Sequence, residues 1–129
     1  MEFAAAVLPH LASVRLQRVR LAGVAVRLEA ATTSRQAICP TCGSSSDRAH
    51  SRYIRRLTDT AIGGREVRLD LTVRRYFCQQ VTCARKTFVE QVPQVTSRYG
   101  RHTQLAAQLV QAVALALGGR PGSRLAGRL

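Results

Sequence analysis

The chain has 129 residues, with 20 Lys and Arg against 7 Asp and Glu for a formal charge of +13, and with three Phe, three Tyr and no Trp. That length holds one ordinary domain, or a small ligand-stapled domain with a helical extension, and excludes two full cores. So few large apolar anchors favour a fold stabilised by a bound ligand, and so positive a field attracts polyanions.

Residues 1–12 are Ala-rich with Pro9 and no clear period, which fits a short helix or a loose terminus. They carry Glu2 and no basic start, and the apolar stretch at 3–8 is too short for a signal-peptide core. Through residues 14–30, Val14, Leu16, Val19, Leu21, Val24, Val26 and Leu28 alternate loosely about Gly23 and predict two short strands. Residues 52–59 are a weaker strand candidate. Ile62-Gly63-Gly64-Arg65 then supplies the positive φ of a tight hairpin. The clearest strand follows: Val67, Leu69, Leu71, Val73 and Phe77 on one face, Arg68, Asp70, Thr72 and Arg74 on the other, with Arg75 breaking the apolar set. Residues 87–92 offer another strand, closed by Pro93.

The period then changes. Leu105, Leu109, Ala112, Val113, Ala116 and Leu117 line one side of a helix, with Thr103 as N-cap and Gly118-Gly119 followed by Pro121 as the stop. Its apolar run, interrupted by Gln108 and Gln111, falls below the roughly 20 residues of a membrane span. A second, basic helix is predicted from Ser123, about two turns long and marginal unless it packs. A helix, a Gly-rich turn and a second helix match the opening of a helix-turn-helix. Two close cysteine pairs, Cys39/Cys42 and Cys78/Cys83, flank the predicted hairpin in zinc-ribbon-like order, so the chain divides into an N-terminal tail at 1–13, a zinc-ribbon-like β domain at 14–95 and a helical segment at 96–129. The fold class is α+β, a zinc-ribbon-like antiparallel β domain followed by a helix of an incomplete helix-turn-helix. Without a signal or a span the expected location is cytoplasmic, where paired cysteines are more often metal ligands than disulfides.

The four cysteines form two close pairs, Cys39-Pro40-Thr41-Cys42 and Cys78-Gln79-Gln80-Val81-Thr82-Cys83. Two ligands from one tight turn reach adjacent corners of a zinc tetrahedron when two to four residues separate them, and both pairs comply. Cys39, Cys42, Cys78 and Cys83 are therefore the predicted ligands of one structural Zn2+, and a shell of four sulfurs leaves no open position for catalysis. Pro40 stiffens the first turn, Gly43 lets the backbone reverse so that amides face sulfur, and Arg85 with Lys86 offsets thiolate charge. His50 reads as a surface or hydrogen-bonding residue beside Arg48 and Arg52. Buried free cysteines or a redox pair are the competing readings of the four thiols.

Arginine is concentrated in the same region, and Lys86 is the only lysine. Arg48, Arg52, Arg55, Arg56, Arg68, Arg74, Arg75, Arg85 and Lys86 are the candidate DNA contacts, since guanidinium forks match phosphate oxygens. Tyr53 and Tyr76, interleaved with them, fit core positions better than base stacking. The carboxylates Asp47, Asp59, Glu66, Asp70 and Glu90 read as salt-bridge partners, and no enzyme constellation emerges.

The ordered motifs Cys39-Pro40-Thr41-Cys42-Gly43, His50-Ser51-Arg52-Tyr53, Arg56-Leu57-Thr58-Asp59, Val67-Arg68-Leu69, Val73-Arg74-Arg75-Tyr76-Phe77-Cys78, Cys83 and Phe88 resemble the N-terminal zinc-finger region of insertion-sequence transposases of the ISL-three group. Arg101-His102-Thr103 and residues 116–126 resemble the start of the helix-turn-helix that follows in that family. The resemblance implies zinc on the four cysteines, recognition of the element's terminal inverted repeats, and a catalytic domain located downstream. It implies that this chain, ending within the helix-turn-helix, corresponds to the non-catalytic N-terminal part of a truncated transposase and is not an enzyme by itself. The implied partners are inverted-repeat DNA and a full-length transposase, with no membrane and no small-molecule substrate. Two other readings stay open: an RNA-binding zinc ribbon, and a protein-interaction fragment that modulates an intact transposase.

Overall fold

The structure, a computed structural model, describes residues 2–118 together with Arg124, Leu125 and Gly127. Helix α1 (Glu2–Val7) and a 3-10 turn (Pro9–Leu11) lead into the hairpin of β1 (Val14–Ala22) and β2 (Ala25–Thr32). A two-stranded ribbon follows, β3 (Ala37–Ile38) paired with β4 (Ser45–Ser46), and then the long hairpin of β5 (Ala49–Ile62) and β6 (Arg65–Phe77). Strand β7 (Thr87–Val89) and helix α2 (Gln104–Leu117) complete the elements. The main sheet runs β1-β2-β6-β5, and β7 pairs with β6 beyond the end of β2.

Both predicted turns form where glycine permits them: Gly23 at φ +64°, and Gly63 and Gly64 at φ +58° and +76°. The wholly antiparallel β domain expected from sequence does not form, because β2 and β6 pair in parallel, Val26 opposite Val67 through Ala31 opposite Thr72. Between them the chain passes through the β3–β4 ribbon and returns along β5, so β6 runs again in the direction of β2.

Strand β6 carries two cores on opposite faces. Val67, Leu69, Leu71 and Val73 pack with Leu28, Ala30 and Leu57, and Leu8, Leu11, Val92 and Val95 complete this cluster. Three residues past Val73, at Tyr76, the covered face changes. Tyr76, fully buried, packs with Cys39 and Phe88, its ring stacked on Phe88 at 6.0 Å. Phe77, expected on the core face, is only half-buried and carries the Arg48 guanidinium at 4.9 Å and the His50 ring at 4.8 Å. The cysteine-bearing turns cover the Tyr76 side of the sheet, which a single-face pattern does not anticipate.

Helix α2 starts as predicted, with the Thr103 hydroxyl accepting the Ala106 amide at 3.2 Å. Its buried side differs from the expected one. Ala106 is buried and Val110, Val113 and Ala114 are half-buried, whereas Leu105, Leu109, Ala112, Ala116 and Leu117 lie exposed. The helix docks by its first turn on the edge of β5, where Thr58 and His102 form a parallel bridge, and does not lie across the core. No helix among the described residues is long and apolar enough to cross a membrane. Gly119, Pro121 and most of the second helix predicted from Ser123 lie outside the described residues.

Candidate metal centre and basic surface

The first cysteine turn is closed by the Cys39 amide donating to the Ser44 carbonyl at 2.9 Å and the Gly43 amide donating to the Cys39 carbonyl at 2.8 Å. Gly43 sits at φ +76°, a conformation in which a side chain would be strained. That reversal turns the amides of Cys42 and Thr41 toward the Cys39 sulfur, and the amide and hydroxyl of Ser44 toward Cys42. In the second turn the Cys83 amide donates to the Gln80 carbonyl at 3.0 Å, and the Gln80 and Arg85 amides face the sulfurs of Cys78 and Cys83. Both turns thus surround thiolates with backbone donors. Arg85 ties them together, its Nε donating to Thr41 Oγ1 at 2.8 Å.

The four sulfurs lie within 4.8 Å of one another, with Cys42 and Cys78 at 3.6 Å and Cys39 and Cys83 at 4.0 Å. Tetrahedral zinc with Zn–S bonds of about 2.3 Å requires sulfurs about 3.8 Å apart, so the cluster fits the ion. These separations are far longer than the roughly 2.05 Å of a disulfide, and all four cysteines are free.

Hydrogen bonds from the side chain and amide of Ser44 lower the Cys42 thiol to about 6. Burial raises the Cys39 thiol, but the Cys42 and Thr41 amides outweigh it and leave the group lowered. In the second turn the balance is reversed. The Gln80 amide draws Cys78 down, yet desolvation and the neighbouring sulfurs push it up to about 12. Cys83 is raised as well, against the pull of the Arg85 amide, by desolvation and the nearby Cys42 sulfur. Four thiolates this close repel one another, and a dication at their centre resolves the conflict.

This is a closed four-sulfur site for one structural zinc ion, in a ribbon of short hairpins. Residues 35–83 match the family described as zinc-finger of transposase IS204/IS1001/IS1096/IS1165, a stretch that ends on the fourth ligand, Cys83. No curated protein and no solved structure matches the chain.

Strand register gathers arginine on the sheet face opposite the main core. Across β1, β2, β6 and β5, one row holds Arg20, Arg27, Arg68 and Thr58, and the next Arg18, Glu29, Asp70 and Arg56. A third holds Arg15, Ala31, Thr72 and Ile54, and on the longer strands Arg74 stands opposite Arg52. Glu29 is shared by Arg18 and Arg20 at 3.6 and 3.4 Å, Asp70 lies 3.7 Å from Arg27, and Glu66 lies 3.3 Å from Arg68. Among the described residues, Arg15, Arg52, Arg56 and Arg74 have no carboxylate within ion-pair distance. Tyr76 shares this face, and its hydroxyl and the Arg74 guanidinium both donate to the Ser34 carbonyl at 3.3 Å. The cysteine turns and the arginine rows therefore adjoin.

The candidate contacts read from sequence are distributed unevenly. Arg52, Arg56, Arg68 and Arg74 lie on the outer face, Arg48 over Phe77, Arg75 over the Tyr53 ring at 5.9 Å, and Lys86 is exposed beside the second cysteine turn. Arg55 instead donates to Gln91 Oε1 and to the carbonyls of Ser97 and Gly100, at 2.8 to 3.0 Å. Sequence reasoning missed Arg15, Arg18, Arg20 and Arg27. An irregularity between Leu16 and Arg18 brings Arg15 and Arg18, three apart in sequence, onto one face. The recurrence of arginine along β1 was the available signal.

Three of the carboxylates expected to form salt bridges pair with no arginine among the described residues, and of these Asp47 is simply exposed. Glu90 is buried and accepts from the Thr32 hydroxyl and the Arg74 amide. Asp59, also buried, accepts from Thr103 and the Thr60 amide and pairs with His10 at 2.7 Å.

Proposed function

We propose that the chain is a zinc-dependent DNA-binding module of an insertion-sequence transposase, which uses its arginine face to contact the terminal inverted repeats. The observation that carries this reading is the adjacency of the zinc turns to arginines with no carboxylate partner among the described residues, on one sheet face, in a chain whose residues 35–83 match a transposase zinc finger. Phosphate contacts from Arg15, Arg52, Arg56 and Arg74 supply most of the affinity, and zinc holds the turns against Tyr76 and Phe88 so that the face keeps its shape. Helix α2, with its apolar stripe exposed, suits the first helix of a helix-turn-helix, whose later helices would cover that stripe and add base readout. The module acts with a catalytic domain in the same or another chain and does not itself cleave DNA.

Fluorescence anisotropy of the zinc-loaded chain against an inverted-repeat duplex, a scrambled duplex and a structured RNA at matched salt tests the reading. Tighter binding of the inverted repeat supports it. Preference for RNA, or affinity unaffected by chelation that removes the metal, overturns it.

A further inference from the structure

Beside the zinc turns lies a cleft of about 480 Å3 whose lining the outer arginine face does not account for. One wall is the rim of the cysteine ribbon at Ile38, Pro40 and Arg85, and the other is the 97–100 turn with Arg98 and Tyr99. Tyr53 and Arg75 lie in the lining between them. Arg55 and Arg56 bring the lining to five arginines, and no carboxylate lines the cleft among the described residues.

Tyr99 is the telling residue. Its backbone adopts φ +61°, a left-handed conformation that a bulky side chain rarely takes. The residue is 84% exposed, so core packing does not compensate for that conformation. The turn holding it is nevertheless fastened, by Arg55 to the carbonyls of Ser97 and Gly100 and by the Gly100 amide to Ser97 at 3.0 Å. A fastened turn that presents a strained, solvent-facing aromatic ring is a feature of ligand sites. The Arg98 guanidinium lies 5.0 Å from that ring, and Arg75 lies 5.9 Å from the ring of Tyr53. Flat π faces flanked by cations, in a groove whose described residues include no acid, match the chemistry of a nucleotide strand whose bases stack while guanidiniums take the phosphates.

We infer that this cleft binds unpaired DNA nucleotides, with a base stacked on Tyr99 and the flanking phosphates held by Arg75, Arg85 and Arg98. The inference rests on the DNA-binding reading above and deepens it. Paired bases within a duplex present no free face to a ring, and a cleft this size admits a nucleotide or two but not a double helix. Arg56 belongs by register to the outer face and also lines the cleft, so one guanidinium is shared between that face and the cleft across the β5 edge.

The test compares the zinc-loaded chain on a blunt inverted-repeat duplex and on the same duplex with a short thymidine overhang, at fixed salt. The overhang is expected to tighten binding by about 10-fold, the scale of one base stacked on an aromatic ring. Tyr99→Gly should erase that gain and leave blunt-duplex affinity unchanged, while thermal stability holds or rises because glycine accepts the backbone conformation. Tyr99→Phe should retain the gain. Equal wild-type affinity for both probes, or an overhang gain that survives Tyr99→Gly, overturns the cleft assignment and leaves duplex binding intact. Absence of binding to either probe overturns both readings.

Discussion

Thr103 donates its hydroxyl proton to Asp59 at 2.7 Å, and the same oxygen accepts the Ala106 amide that opens helix α2. One side chain thus caps a helix and satisfies a buried carboxylate. Asp59 also holds His10 from the N-terminal segment, and the Thr103 amide donates to the Thr58 carbonyl at 2.9 Å. The start of the chain, the edge of β5 and α2 therefore meet at Asp59.

Thr103→Val keeps the volume and removes both bonds. Loss of the cap costs about 1 kcal/mol, and a buried carboxylate deprived of a donor adds about 1–3 kcal/mol, so the expected destabilisation is about 2–4 kcal/mol. Thr103→Ser retains the hydroxyl and should lie within about 1 kcal/mol of the parent. Urea unfolding of the zinc-loaded chain measures both. A valine variant as stable as the parent would show that the hydroxyl contributes nothing.

Much of this arrangement was legible in the sequence, for physical reasons that differ by element. The β5–β6 hairpin is written locally: apolar alternation along β6, and two glycines where φ must be positive. The cysteine site is legible because zinc geometry restricts spacing within a turn, whatever the surrounding fold. Thr103 could be read as a cap for the same local reason. Asp59 could not, since an acidic residue beside arginines looks like a surface partner until His10 and Thr103 arrive from positions 49 and 44 residues away. The exposed face of α2 misled because periodicity reports that a stripe is apolar, not what covers it. Tyr76 is buried as expected, but Tyr53 is exposed and Phe77 falls outside the main core, because the second core lies across the sheet from the first.

Zinc should hold the ribbon together, since Cys39 is buried against Tyr76 and Phe88 and links the site to the second core. Cys78→Ser is expected to lose stoichiometric metal and to lower the thermal midpoint, because metal binding and local folding are one equilibrium. The pH dependence has a definite sign. Zinc binds thiolates, and Cys78 is pushed up to about 12 while Cys42 is lowered to about 6. At neutral pH metal uptake therefore displaces protons from the second turn, and affinity rises with pH. Below about 6 the Cys42 thiolate is protonated too, and affinity falls more steeply. Chelator competition at a series of pH values checks this, and a pH-independent affinity between 5 and 8, a span of about three decades in proton activity, would contradict it.

Arg52 is exposed, stands opposite Arg74, and has no carboxylate partner among the described residues. If it neutralises a phosphate, Arg52→Ala should reduce the slope of log affinity against log salt by about 1, and Arg52→Lys should preserve it. Titrations of one duplex at several salt concentrations give the slope directly. An alanine variant with the parental slope removes Arg52 from the interface.

Arg55 sits between Ile54 and Arg56 in sequence and is chemically identical to its neighbour, yet its bonds predict a different role. Its guanidinium donates to Gln91 and to two carbonyls of the 97–100 turn, which leaves little of the fork for phosphate. Arg55→Met should therefore leave the salt slope of blunt-duplex binding unchanged. Its effect should appear as about 1–3 kcal/mol of lost stability, the cost of removing a charged donor from carbonyls it satisfies. Hydrogen exchange at the Gly100 amide, which is bonded to Ser97 within the turn, should quicken at the same time. Arg55→Lys should fall between the two, because an ammonium carries the charge but cannot reach three acceptors in the geometry of a planar fork. A slope lowered by about 1 in Arg55→Met, with exchange at Gly100 unaltered, would reverse the assignment and make Arg55 a phosphate contact like Arg52.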